Sequence, residues 1–247
     1  MTGIKRAAHP MAVACLSLLV SGCAAGTSTD DSSPTEIPSP SVSPSPAAST
    51  AARPLRDTGS DLVLTPGTYV VRTFPVDLTF DIPEGDGPGW HVGKATSVAA
   101  ILIWYTPGEP SWAVGFWIVD NVYVDPCDSA AGELDPPVGP LVEDLVTALS
   151  AMPGFEASAP VDVTVGAFEG KQIDLTVLDS GADCAEALLW SAGEDKTDMA
   201  PGSTTRVLIV DVDGVRVVIN TFFEHPDAVA EAQLRQILDS IRTDPGS

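Results

Sequence analysis

Between about Leu62 and Thr243, short β-branched and aromatic runs alternate with Gly and Pro turns, and this pattern constrains the fold more than any other feature. Runs of this kind predict β-strands. Consecutive runs meet at Pro75, at Glu169-Gly170 and at Asp213-Gly214, where the chain can reverse direction. Asp-Gly between two apolar runs is a strong hairpin signal. The pattern therefore predicts an antiparallel sheet.

Two segments have helical periodicity instead. Apolar residues recur every three or four positions from Leu141 to Met152, after Pro140 and before Pro153-Gly154. A second helix is predicted from about Pro226, and its buried stripe comprises Val229, Ala230, Leu234, Ile237, Leu238 and Ile241. Two helices packed on an antiparallel sheet make a single α+β domain, which we place at residues 58–244.

Several stretches resemble the PsbP/Mog1-like fold. LTFDIPEGDGPGW, residues 78–90, is similar to the opening strand and the P-x-G-W turn of that fold, with an insertion before Trp90. Residues 213–242 are similar to the closing hairpin and helix of that fold. The whole chain also resembles a group of uncharacterised actinobacterial lipoproteins, and the resemblance includes DPC at 125–127 and DLVTAL at 144–149. The resemblance implies an α+β fold, a location in the cell envelope and an accessory or partner-binding role. It implies no catalytic residues.

The N-terminus indicates export and a lipid anchor. Lys5 and Arg6 precede an apolar stretch from Met11 to Val20 and then small residues, which is the order of a signal peptide, here residues 1–22. That stretch is too short to span a bilayer of about 30 Å as a helix. LVSGC resembles a bacterial lipobox, which implies diacylglyceryl transfer to the Cys23 thiol, cleavage before Cys23 and acylation of the new amino terminus. Two or three acyl chains anchor a protein durably, so we expect Cys23 to hold the chain on the outer face of the cytoplasmic membrane; the alternative is an ordinary secretion signal with a chance cysteine.

Residues 23–57 contain mostly Ser, Thr, Pro and Ala, with PSPSVSPSPAAST at the centre. This composition buries no core and favours an extended, disordered tether. At roughly 3 Å per residue, the tether reaches on the order of 100 Å from the membrane.

The charge balance excludes some partners. Acidic residues outnumber basic ones by 34 to 12 over the whole chain. Binding to nucleic acid, or direct docking on an anionic bilayer, needs a basic surface. We therefore expect no nucleic-acid partner. The acidity favours either a soluble acidic surface, or cationic partners or divalent ions.

Two cysteines remain besides the anchor, Cys127 and Cys184. Outside the cytoplasm a disulfide between them is the natural expectation. It would close a loop of nearly sixty residues and stabilise the domain by roughly 4 kcal/mol on the chain-entropy model. The alternative is two buried free thiols.

The residues that carry catalysis or bind metals are sparse. His91 and His225 are the only histidines after the signal peptide, and neither HxxxH nor CxxC spacing occurs. No G-x-S-x-G elbow is present. We therefore expect no metal site, no cofactor and no enzymatic activity. The alternative is an envelope hydrolase with a site built around His91 or His225.

Aromatic residues crowd between Trp90 and Tyr123. Strand alternation places Trp112 and Phe116 on one face and Trp117 and Tyr123 on the other. One set fills a core, whereas the other is either covered by a helix or loop or exposed. Exposed aromatic side chains on a sheet would bind an envelope protein, a lipid or a glycan. The candidate binding surface comprises Trp104, Trp112, Trp117 and Tyr123.

These features predict a lipid-anchored, extracytoplasmic binding or accessory module of the cell envelope. A purely structural protein of the cell wall is a further alternative. An open apolar groove would favour the binding module, whereas a polar cleft that contains a histidine would favour the hydrolase.

Overall fold

This computed structural model describes residues 51–56, 63–85, 89–104, 112–178, 184, 186–222 and 228–243. The described residues form three β-sheets and two α-helices. All of these residues belong to one compact unit, residues 48–247. The strands are β1 Arg53–Pro54, β2 Gly67–Val71, β3 Leu78–Ile82, β4 Trp90–Ala95, β5 Ala99–Trp104, β6 Trp112–Trp117, β7 Asn121–Val122, β8 Phe155–Ala157, β9 Val161–Val165, β10 Phe168–Val177, β11 Ala187–Ala192, β12 Asp195–Met199, β13 Thr204–Val212, β14 Val215–Phe222 and β15 Arg242–Thr243. The helices are α1 Val142–Ser150 and α2 Ala228–Asp239.

The largest sheet has eight strands and forms the centre of the domain. Its strand order is β4-β5-β6-β14-β13-β10-β8, and β9 also pairs with β10. All of its neighbours are antiparallel. A second sheet has the order β1-β2-β3-β15, and a third has the order β12-β11-β7. Among the described strand pairs, only β1 and β2 run parallel. The predicted α+β class with mostly antiparallel sheets is confirmed.

Both faces of the central sheet are buried. One face, which we call the α2 face, carries Leu208, Val210 and Ile219 and packs against α2 and against β2 and β3. The opposite α1 face carries Val207 and Ile209 and packs against α1 and β11. Because successive side chains of a strand point to opposite faces, each strand contributes apolar side chains to two separate cores. The two predicted helices lie on opposite faces of this sheet.

Local signals located most of the predicted hairpins. The hairpin of β2 and β3 and the hairpin of β13 and β14 are both present. Asp213 and Gly214 make the second turn, both with positive φ. The predicted turn at Glu169-Gly170 is wrong, because the chain turns at Gly166-Ala167 and β10 begins at Phe168. Gly166 has a φ of 58°, and a Cβ there would lie 1.9 Å from the carbonyl oxygen of Ile241. Close approach of a distant segment therefore requires glycine at this turn.

Six of the described strands were not predicted: β1, β4, β8, β11, β12 and β15. Of these, β11 is buried along its whole length. A strand that is covered on both sides reads as a continuous apolar run and resembles a buried helix segment in sequence. The stripe predicted for α2 is also wrong at Val229, which is 49% exposed, whereas Gln233 is buried in its place.

The folded domain begins earlier than predicted. Arg53 pairs in register with Tyr69, and the backbone amide of Leu55 donates to the carbonyl of Val70 at 2.8 Å. The Arg53 guanidinium lies 4.2 Å above the Tyr69 ring and donates to the Thr65 carbonyl at 2.8 Å. Residues 53–55, which we assigned to the tether, are therefore part of the fold. Residues 1–50, which include the predicted signal peptide and most of the predicted tether, lie outside the described residues.

The two remaining cysteines form a disulfide. The Cα atoms of Cys127 and Cys184 lie 5.0 Å apart, and their sulfur atoms are bonded. The backbone amide of Leu188 donates to the carbonyl of Pro126 at 2.9 Å beside the bridge. The predicted pairing of these cysteines is confirmed.

Candidate functional site

Three tryptophans of the predicted aromatic surface lie in the cores. Trp104 and Trp112 are each 4% exposed on the α2 face, and Trp117 is 3% exposed on the α1 face. The predicted alternation is confirmed within β6, where Trp112 and Phe116 lie on one face and Trp117 lies on the other. An exposed platform that includes these three residues is wrong, because other layers of the domain cover both faces of the central sheet.

Tyr123, the fourth predicted residue, is partly exposed and forms an isolated backbone bridge with Glu133. Burial raises the pKa of Tyr123, and the carboxylate of Glu133 raises it further. One aromatic side chain without a described neighbouring ring does not form a stacking surface.

An open cavity of about 390 Å³ lies between α2 and the α2 face of the central sheet. Its apolar floor consists of Trp112, Leu208, Leu234 and Leu238. The first three of these side chains are at least nine-tenths buried, and Leu238 is half-buried. A concave site with an apolar floor is the usual form of a small-molecule binding site. We call this site the α2 cavity.

The polar side chains of the α2 cavity come from both of its walls. On the sheet side, Asp174 pairs in register with Arg206, which in turn pairs with Thr221, so the three residues form one row across β10, β13 and β14. On the helix side, Glu231 and Arg235 lie one turn apart and line the cavity together with Leu234 and Leu238. Residues at spacings of three and four share one helix face.

Two ion pairs are part of this lining. Arg206 donates to Asp174 through Nε at 2.9 Å and through Nη2 at 3.4 Å. Arg235 donates to Glu231 at 3.2 Å. The hydrogen bonds to Asp174 raise the pKa of Arg206 above its ordinary value, and the carboxylates of Asp174 and Glu231 add to this effect against a smaller opposing effect of burial. Because the influence of Glu231 reaches Arg206, the two walls of the cavity are electrostatically coupled.

Thr221 forms part of the wall between the floor and the charged residues. It is 1% exposed, and its Oγ1 has no hydrogen-bond partner among the described residues. A buried polar atom without a partner costs about 1–3 kcal/mol. Such atoms are infrequent in native structures and each needs an explanation. A ligand oxygen in the cavity is one explanation.

Two contacts hold α2 over the cavity. Trp90 donates through Nε1 to the Oε1 of Gln233 at 3.1 Å, and both side chains are buried. Beyond the helix, Arg242 donates to both carboxylate oxygens of Asp81, at 3.1 and 3.0 Å. Burial raises the pKa of Asp81, but the hydrogen bonds from Arg242 and Thr68 outweigh burial and hold that pKa below its ordinary value.

Of the predicted surface residues, only Trp112 lines the α2 cavity. The other residues of the cavity were not predicted. The sequence contained one signal for those on α2, a helix face that mixes charged and apolar residues: Glu231, Leu234, Arg235 and Leu238. Polar residues on one face of a helix normally indicate solvent. The contribution of β10, β13 and β14 depends on strand order, which the sequence does not reveal.

The structure places only one of the two predicted histidines. His91 lies in β4 opposite Ile103 of β5 and is partly buried, whereas His225 lies outside the described residues. In the described ranges, no three His, Cys, Asp or Glu side chains lie close enough together to hold a metal ion. Neither described helix is long and apolar enough to cross a bilayer.

Comparison with known proteins did not identify a family. No protein-family model and no curated protein matches this chain. The PsbP/Mog1-like assignment and the relation to actinobacterial lipoproteins therefore remain proposals, and function has to be derived from the geometry of the α2 cavity.

Proposed function

We propose that this protein is a lipid-anchored binding module of the cell envelope that holds a small ligand in the α2 cavity. Cys23 carries the anchor on the outer face of the cytoplasmic membrane, and the domain performs no chemistry on its ligand. The observation that carries the proposal is the cavity itself, which combines a buried apolar floor with charged residues at its opening. This combination is typical of ligand sites.

The order of elements supports a PsbP/Mog1-like fold for the domain. Strand β3 lies in the first stretch on which the resemblance is based, residues 78–90, and β14 and α2 lie in the second, residues 213–242. β3 pairs with β2 as an antiparallel hairpin, and β14 pairs likewise with β13. A fold of this kind is compatible with accessory and partner-binding roles, although fold alone does not determine function.

The alternative of an envelope hydrolase would need a serine or carboxylate beside a histidine. Among the described residues, those that line the α2 cavity include no histidine, and His225 lies outside the described residues. The binding module is therefore the function that the geometry supports best.

Replacing Cys23 with alanine is expected to move the protein from the membrane fraction to the culture medium. The substitution removes the thiol that would carry the diacylglyceryl group, and the apolar stretch from Met11 to Val20 is too short to span the bilayer in its place. The measurement is immunoblotting of fractions after membrane sedimentation. Val161→Ala is the control, since Val161 is an exposed residue of the folded domain and its replacement leaves Cys23 and the disulfide intact. Unchanged membrane association of Cys23→Ala would contradict the lipid anchor.

Leu238→Trp is expected to displace whatever ligand occupies the α2 cavity, because the larger ring fills the space beside Leu234. Full-length protein would be purified from its own membranes, extracted with organic solvent and examined by mass spectrometry. Wild type should release a discrete non-covalent molecule that Leu238→Trp lacks. Gln236→Trp is the matched control, since Gln236 is exposed on the same helix and does not line the cavity. Identical extracts from all three proteins would contradict a ligand-binding function for this cavity.

A further inference from the structure

We propose that the α2 cavity binds a single-chain amphiphile whose alkyl chain lies on the apolar floor and whose carboxylate lies between Arg206 and Arg235; this inference rests on the proposed binding function. It assigns a ligand class to a site whose walls combine one apolar surface with two guanidinium groups. The recognition is non-covalent.

The floor favours an alkyl chain. Trp112, Leu208 and Leu234 present apolar surface at the bottom of the cavity, and Leu238 extends that surface towards the opening. Apolar area that a ligand removes from water contributes roughly 25 cal/mol per Å². The volume of about 390 Å³ lies at the low end of the range for small-ligand sites. One medium-length chain fits this space better than a lipid with two or three chains.

The charge distribution of the chain favours an anionic group at the opening. Of the twelve Lys and Arg residues, Lys5 and Arg6 belong to the predicted signal peptide, which leaves ten for a domain with far more carboxylates. Two of those ten, Arg206 and Arg235, line this one cavity. Among the described residues, the lining of the α2 cavity has two positive and two negative side chains, so it repels an anion less than the chain as a whole, which is net acidic, does.

Both guanidinium groups retain donors for a ligand. An arginine side chain carries five N–H donors in a planar fork that matches a carboxylate. Asp174 occupies two donors of Arg206, and the second of these bonds is long, at 3.4 Å. Glu231 occupies one donor of Arg235 at 3.2 Å. A ligand carboxylate can therefore bind without breaking either ion pair.

The buried hydroxyl of Thr221 gives a second, independent indication of a polar ligand atom. Thr221 is the register neighbour of Arg206, so its side chain and the guanidinium belong to the same row of the α2 face. Its Oγ1 lacks a partner among the described residues although the residue is 1% exposed. A carboxylate oxygen held at Arg206 is the type of acceptor that a neighbouring hydroxyl binds.

The same geometry disfavours the other ligand classes considered from the sequence. A glycan stacks on an exposed aromatic face, but Trp112, the one aromatic residue among the described lining residues, is 4% exposed. A protein partner needs a surface on the order of 800 Å² on each side, which is larger than a cavity of this volume provides.

The test is calorimetric titration of the full-length protein with four probes: decanoate, 1-decanol, acetate and maltose. Decanoate should bind at least about tenfold more tightly than 1-decanol, because a charge-assisted hydrogen bond contributes 1.5–3 kcal/mol and 1.4 kcal/mol corresponds to tenfold. Acetate and maltose should not bind measurably. Equal binding of decanoate and 1-decanol, or tighter binding of maltose, would overturn the proposed ligand class.

Variants locate the site of the carboxylate. Arg206→Gln and Arg235→Gln should each weaken decanoate binding by roughly tenfold and leave 1-decanol binding unchanged. Arg72→Gln is the matched control, since Arg72 forms an exposed ion pair with Asp77 away from the cavity. Melting temperatures of all three variants show whether each is folded, and Arg235 is an exposed helix residue whose replacement is structurally mild.

Failure of this inference is distinguishable from failure of the proposed function. If wild-type protein releases a ligand that Leu238→Trp lacks but does not bind decanoate, the cavity binds a different chemical class and only the carboxylate inference falls. If the two arginine variants bind decanoate as tightly as wild type does, the anion does not lie between Arg206 and Arg235, which also overturns the inference.

Discussion

Trp117→Ala is expected to lower the free energy of unfolding by about 3–5 kcal/mol, the range for truncation of a buried large aromatic side chain. Trp117 is 3% exposed and belongs to the core on the α1 face. Its ring packs edge-on against Trp190 with centroids 6.1 Å apart. Truncation therefore removes apolar contacts from a closed core and leaves a cavity that the surrounding strands cannot fill.

A polar contact adds to this cost. Trp117 donates through Nε1 to the Oδ1 of Asn220 at 2.7 Å, and Asn220 is fully buried. The Nδ2 of Asn220 already lacks a partner among the described residues, so alanine at position 117 leaves the whole amide unpaired. Gly115 makes room for this pair, since a Cβ there would lie 2.3 Å from the indole nitrogen.

Urea denaturation followed by circular dichroism measures this loss of stability. Trp117→Phe keeps most of the ring and is expected to lose only about 1–3 kcal/mol, mainly through the unpaired carbonyl oxygen of Asn220. Val161→Ala is the exposed control, since Val161 is 49% exposed in β9, and it should change stability by no more than about 0.5 kcal/mol. A Trp117→Ala variant as stable as the Val161 variant would show that Trp117 does not belong to the core.

Removal of the disulfide has a comparable expected effect. The Cys127→Ala, Cys184→Ala double variant should lose about 4 kcal/mol on the chain-entropy model, because the bridge spans a sequence separation of 57 residues. The bond restricts the unfolded chain more than it adds contacts to the folded one. Replacing both cysteines together avoids leaving a single reactive thiol.

Two measurements test this prediction. Intact mass of the wild type after alkylation, with and without reductant, reports whether both thiols are bonded in the purified protein. Denaturation of reduced wild type should then match that of the double variant within about 1 kcal/mol. Equal stability of the oxidised wild type and the double variant would mean that the loop between the two cysteines is already restrained in the unfolded state.

Local features of the sequence predicted most elements of the central sheet. Asp213-Gly214 located a hairpin turn because few residue pairs adopt two consecutive positive φ values. The helical period from Leu141 to Met152 located α1, and the alternation at Trp112 and Phe116 assigned those side chains to one strand face. Each of these signals lies within a few residues of the chain. The disulfide was predicted because Cys127 and Cys184 are the two cysteines that follow the predicted anchor residue Cys23, and a disulfide is the natural expectation outside the cytoplasm.

The elements that cover each face were not predictable in the same way. β6 pairs with β14, about a hundred residues later in the sequence, and the cover of the α1 face includes β11, which has no alternating pattern. Whether the aromatic side chains of β6 are buried or exposed therefore depends on which distant segments pair with β6 and pack on it. The prediction of an exposed platform failed at this point, since the sequence specified the two faces of β6 but not what packs on them.

The sequence by itself determined most of the turns, the two helices and the two-faced character of the strands, because each is encoded by a short stretch of residues. The tertiary structure alone decided that both faces are buried and that a cavity remains under α2. That cavity takes residues from β6, β10, β13, β14 and α2, which come together only when the strand order is set. A binding site built across five elements has no local signature, since its residues share neither a period nor a neighbourhood in the chain.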